Sequence, residues 1–118
     1  MNFDDAVRAH SAWKKKLRDY AAKRDGSLKQ SEVEHDYRCE LGQWIHGEAK
    51  ARHARMPEYA ALARDHAAFH KAAGKVVAQI DAGTYRSEDT ALGSASPFSK
   101  CSSACVTAIM AMKAKVAP

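Results

Sequence analysis

Along the first two dozen positions the apolar stripe falls at Phe3, Val7, His10, Trp13, Leu17 and Tyr20, in steps of three and four. That rhythm keeps them on one face of a 3.6-residue turn and predicts a core-facing α-helix, ended by Asp25 and Gly26. After a mostly polar connection, Ser27 to Gln30, the pair Ser31 and Glu34 predicts a capping box for one short turn. Asp36 is then the expected N-cap of a second helix carrying Leu41, Trp44 and Ile45. A third helix is expected from Pro57, with Tyr59, Leu62, His66, Phe69, Ala73, Val76 and Ile80 inward and Gly83 as its C-terminal cap. A fourth pattern starts after Ser87 and runs through Phe98, Cys101, Cys105, Ile109, Met112 and Val116, with Gly93 and Pro97 weakening or kinking its first part. No strand-like alternation competes.

Each stripe must be buried against the others, so the pattern predicts an all-α fold. The expected architecture is an antiparallel four-helix bundle with an extra short helix or turn between helices 1 and 2. At 118 residues one core is expected, and residues 1–118 are read as a single domain. No span approaches the ~20 apolar residues of a membrane helix, and Met1-Asn2-Phe3-Asp4-Asp5 does not begin a secretory signal. The expectation is a cytoplasmic protein with no membrane partner. Its three cysteines cannot all pair within one chain, which favours core thiols or metal ligands over a disulfide framework. The net charge of +5 permits weak attraction to polyanions. Lys14, Lys15 and Lys16 nevertheless read as the solvated side of a helix, and no aromatic-interleaved basic patch accompanies them, so no nucleic-acid partner is expected.

The chemistry lies in the histidines. His10 and His66 stand on apolar stripes where leucine would be ordinary. A lone buried imidazole is commonly a hydrogen-bonded core residue. His70, four residues after His66, changes that, because both rings then share a helical face and can reach one ion. The metalloprotease pattern H-E-x-x-H is excluded, since Ala67 stands where the glutamate would be. Cys39 is the expected fourth ligand, in the first turn after Asp36, where the helix dipole and a nearby cation both favour thiolate. An ideal helix points Cys39 away from Leu41 and Trp44, so it must reach the metal from the helix start or from another buried face.

Three neutral imidazoles and one thiolate suit Zn2+ and lack the carboxylates that calcium or magnesium requires. A set filled entirely by protein leaves no open position for water, which argues for sensing or structure and against an enzyme. Asp36 and Asp65 are candidates to accept the outward nitrogen of a ligand imidazole, and Trp44 is expected to fill core beside the site. The competing pairs His35 with Cys39 and Cys101 with Cys105 are set aside. His35 lies off any apolar stripe, and the other two cysteines occupy fourth-helix core positions. His46 and His53 read as surface residues among charged neighbours. Gly42 and Gly47, each costly within a helix, imply close approach of another helix or an early helix end.

These residues resemble the chemoreceptor zinc-binding domain family, found on bacterial chemoreceptors and diguanylate cyclases and as stand-alone proteins. Cys39-Glu40-Leu41-Gly42-Gln43-Trp44-Ile45-His46-Gly47 is similar to the family's C-x-L-G-x-W-x-x-G core, and His66-Ala67-Ala68-Phe69-His70 to its H-x-x-F-H segment. The likeness extends from about Phe3 to the closing helix. It implies a four-helix fold, a zinc ion held by His10, Cys39, His66 and His70, and a symmetric homodimer. It also implies a role in signalling such as chemotaxis or diguanylate cyclase regulation. Sensing of oxidants such as hypochlorite through the Cys39 thiolate is a second implication. A purely structural zinc in a protein-interaction adaptor is a further alternative, distinguished by the lack of any graded response to free zinc.

Overall fold

The computed structural model describes residues 1–116. Among them every regular element is an α-helix: α1 (Phe3–Ser11), α2 (Trp13–Lys23), α3 (Gln30–Val33), α4 (Glu40–His46), α5 (Glu48–His53), α6 (Pro57–Ala82), α7 (Glu88–Leu92) and α8 (Pro97–Val116). They form four rods: α1 with α2, α4 with α5, α6, and α7 with α8. The one-turn α3 is the extra short helix between the first two. No helix among the described residues is long and apolar enough to cross a membrane.

Side-chain pairs fix the rod directions. His10 lies level with His66 and His70, and Tyr20 Oη donates to Asp81, so the first rod and α6 run parallel. Lys113 meets Asp4 at 2.8 Å and Arg18 meets Glu88 at 3.4 Å, so the last rod runs against the first. Tyr59 Oη donates to the Ile45 carbonyl while Cys39 lies beside His66, so α4 runs against α6. The result is the up-down-up-down arrangement expected of helices with short connections. Leu17, Ile45, Leu62, Phe69, Val77, Cys105, Ile109 and Met112 are completely buried along its axis.

The ends of the helices differ from expectation in instructive ways. Asn2 caps α1 by accepting the Asp5 N–H, and the first helix bends at Ala12, whose N–H still donates to the Arg8 carbonyl and whose carbonyl accepts the Lys16 N–H. Pro57 opens α6, and Gly83, at φ 76°, closes it by donating to Gln79 and Ile80 carbonyls. The Ser31–Glu34 capping box does not form: Lys29 precedes α3, with no side-chain cap. The N-cap of α4 is Cys39, not Asp36, and its sulfur accepts the Gly42 N–H at 3.3 Å. Gly93 and Pro97 do not merely kink the fourth helix. They separate α7, capped by Ser87, from α8, whose first turn is held by Ser96 Oγ accepting the Ser99 N–H. Cys101 was expected in the core and is half-buried, because the short α7 leaves the start of α8 partly uncovered.

Two glycines permit the approaches on which the site depends. A Cβ on Gly42 would stand 1.6 Å from the Asp36 carbonyl oxygen, so the 36–39 segment lies directly on the α4 backbone. The approach is of the chain's own preceding loop and not of another helix. On α6, a Cβ on Gly74 would meet Glu34 Cβ at 2.8 Å, and this contact brings α3 down onto α6.

Candidate metal centre

His10 projects from α1 and His66 and His70 from α6, and all three are buried, at 2%, 0% and 3% exposure. Cys39 approaches from the start of α4. As an N-cap it has extended backbone, φ −78° and ψ 161°, so its side chain leaves the helix end and is free of the α4 stripe. This is the helix-start route that the sequence left as one of two possibilities.

The four donors converge. His66 Nε2 is 3.1 Å from both His10 Nε2 and His70 Nε2. Cys39 Sγ lies 3.8, 3.2 and 3.6 Å from the Nε2 atoms of His10, His66 and His70. All four lie within 4.8 Å of one another, close enough to hold one metal ion. A tetrahedral zinc with ordinary bond lengths would separate its nitrogens by about 3.3–3.4 Å and nitrogen from sulfur by about 3.5–3.6 Å. The observed nitrogen–sulfur separations bracket that edge, and the two nitrogen–nitrogen separations of 3.1 Å are slightly shorter than theirs.

The outer nitrogens show what the inner ones carry. His10 Nδ1 donates to the Ala6 carbonyl at 2.7 Å, and His70 Nδ1 donates to the Val33 carbonyl at 3.0 Å. A carbonyl can only accept, so both protons are on Nδ1 and both Nε2 atoms turn bare lone pairs inward. Lone pairs crowded together in a buried space repel unless something positive lies between them. His66 Nδ1 is buried with no hydrogen-bond partner, an unsatisfied group of the kind found where a ring's position is set by another demand.

Burial also fixes the charge state. It holds the imidazoles of His10 and His70 below the ordinary histidine range. His66 is pushed down to about 3, first by burial and then by its two histidine neighbours. All three are therefore neutral donors near neutral pH, the form a metal binds. At Cys39 burial pushes the thiol up, against the downward pull of the Gly42 N–H. The helix start does not preform the thiolate in the metal-free protein, so a metal must displace a proton there.

The remaining candidate residues lie around this centre. Asp36 meets His46 Nε2 at 3.0 Å, and its charge also acts on His66. Asp65 pairs with Arg64, and Trp44 packs edge-on against Phe3 at 5.3 Å. Among the described residues the acceptors of the cluster imidazoles are the backbone carbonyls of Ala6 and Val33. Side-chain letters carry no signal for such acceptors, although Ala6 stands one helical turn before His10, the direction in which helical side chains lean. Phe69 closes the inner side, 5.3 Å from the His10 ring and 5.4 Å from that of His70. His35 stacks near Tyr37 and takes no part.

A helical bundle holding three imidazoles and a thiol at metal-binding distance defines a metal-binding domain. The family model of the chemoreceptor zinc-binding domain matches residues 10–77, more than half of the chain and including all four donors, and the chain belongs to that family. No curated protein and no solved structure matches.

Proposed function

We propose that this chain is a zinc-responsive regulatory domain of bacterial signalling, in which His10, Cys39, His66 and His70 hold one Zn2+. Occupancy would tie together α1, the start of α4 and α6, and the packing change would be read in the cytoplasm. The reader is a second copy of the chain in a homodimer or a signalling partner such as a chemoreceptor or diguanylate cyclase. The convergence of four inward-facing donors supports this reading most directly. With all four positions filled by protein, zinc supplies cross-linking and not an activated water, so the domain is read as a non-enzyme.

The coupling follows from where the donors sit. Three separate chain segments meet at this centre, so an unfolded or loosened chain offers almost no site, and binding free energy stabilises the packed bundle. Free zinc at a hundred times its Kd stabilises by about 2.7 kcal/mol, which for a domain of this size is roughly 10 °C in Tm. Thermal melts of the chelator-treated protein across a zinc titration test it. A graded rise in Tm is expected, and an unchanged Tm overturns the coupling.

An oxidant-sensing role rests on one contrast. The three imidazoles are buried, whereas Cys39 is half-buried and so is the donor that an oxidant reaches first. Oxidation of the thiolate to sulfenic acid weakens its coordination and releases metal. Substoichiometric hypochlorite should release zinc from the native protein faster than from Cys39→Ser. Equal release removes Cys39 from the mechanism.

A further inference from the structure

A groove of about 580 Å³ opens between α6, the Thr84–Arg86 segment, α7 and the start of α8, in the range of roughly 300–1,000 Å³ typical of small-molecule sites. Its inner surface is apolar. Ala72 and Val76 come from α6, Tyr85 from the connection, Ala91 from α7 and Phe98 from α8. Phe98 is buried and packs on Phe69 at 5.6 Å, so the floor is anchored in the core.

The rim has the opposite character. Lys71, Lys75 and Arg86 border the groove, all exposed, and none makes an ion pair among the described residues. Lys71 and Lys75 are one helical turn apart, where like charges repel and destabilise an isolated helix. Glu88, the acidic group that acts on Tyr85, is engaged by Arg18 at 3.4 Å and does not neutralise them. An apolar floor beneath three unpaired cations is complementary to an apolar body with a negatively charged end. A nucleic-acid backbone would leave the floor unused, and a neutral hydrocarbon would leave the cations unused.

We propose that this groove is a binding site for a small amphipathic monocarboxylate, its hydrocarbon or aromatic body against Val76 and Phe98 and its carboxylate between Lys71, Lys75 and Arg86. The site shares no donor with the histidine–cysteine cluster and does not rest on zinc binding. Cys101, half-buried on the groove wall, reports its occupancy.

Calorimetric titration of the full chain with decanoate tests the assignment, with acetate, decanol and decyltrimethylammonium as comparisons. Saturable one-to-one binding of decanoate is expected, with acetate not binding and the cationic analogue at least tenfold weaker. The double variant Lys75→Gln, Arg86→Gln should weaken decanoate at least tenfold, and Ala72→Trp should block it. Alkylation of Cys101 by iodoacetamide, followed on its own peptide by mass spectrometry, should slow at saturating decanoate. Vesicles containing phosphatidylglycerol should leave that rate unchanged. If Ala72→Trp does not fold, the charge variant and the Cys101 rate carry the test. Equal affinity for the cationic analogue overturns the proposal, as does undiminished binding by the charge variant or a Cys101 rate indifferent to decanoate or slowed by vesicles alone.

Discussion

Replacing Gly42 by alanine should damage the metal centre without touching any donor. The added Cβ would fall 1.6 Å from the Asp36 carbonyl oxygen and 2.9 Å from Tyr37 Cα, both backbone atoms with no rotamer by which to escape. To restore ordinary contact the 36–39 segment must retreat by roughly 1.5 Å or more. Metal–ligand distances tolerate only about 0.2 Å, and Cys39 is the last residue of that segment and the cap of α4. Overpacking of this kind also costs about 1–3 kcal/mol of stability. The expected outcome for Gly42→Ala is therefore a loss of zinc affinity of at least a hundredfold, with the metal-free protein melting some 4–12 °C lower. Gly83→Ala is the control. It introduces strain at φ 76° but has nothing within 4 Å, so it should cost about 1–2 kcal/mol and leave zinc affinity intact. Competition against a chromophoric chelator measures the affinities, and circular dichroism the melts. Native zinc affinity in Gly42→Ala would refute the claim that this contact positions Cys39.

Other consequences are open to measurement. The metal-free protein should lose stability as pH falls below about 6.5, because the unfolded chain then takes up protons that the buried His10, His66 and His70 refuse. For His66 the loss continues towards its folded value of about 3, at about 1.4 kcal/mol per pH unit, and urea midpoints that do not change between pH 7 and pH 4 would contradict it. Phe69→Ala, which removes a completely buried ring touching His10, His70 and Phe98, should cost about 3–5 kcal/mol in urea unfolding. A loss under 1 kcal/mol would show that the ring does not support the centre. Tyr20→Phe removes the hydrogen bond to Asp81 and should cost about 0.5–1.5 kcal/mol while zinc binding is unchanged, which the same titrations check.

The long helices were legible because their apolar positions keep one period over many turns, and His10 and His66 stood out as imidazoles on those stripes, with His70 one turn beyond His66. Helix boundaries were harder where two local signals competed. Asp36 has the better capping side chain, yet Cys39 takes the position, because the flat surface of Gly42 draws the Asp36 carbonyl onto α4 and delays the start of the helix. Cys101 falls on the fourth stripe by spacing alone. Its partial exposure depends on how little of α8 the five-residue α7 covers, which no pattern within α8 encodes. The carbonyls of Ala6 and Val33 were invisible for a different reason: every residue has one, and only the fold decides which of them faces a ring nitrogen.

Zinc X-ray absorption of the metal-loaded protein tests the central claim most directly, alongside metal content for the native chain and for His10→Ala. One zinc per chain is expected, with three nitrogen neighbours at about 2.0–2.1 Å and one sulfur at about 2.3 Å, and His10→Ala should lose the metal or replace one nitrogen by a solvent oxygen. A shell with no sulfur, or His10→Ala retaining zinc with an unchanged spectrum, would contradict it.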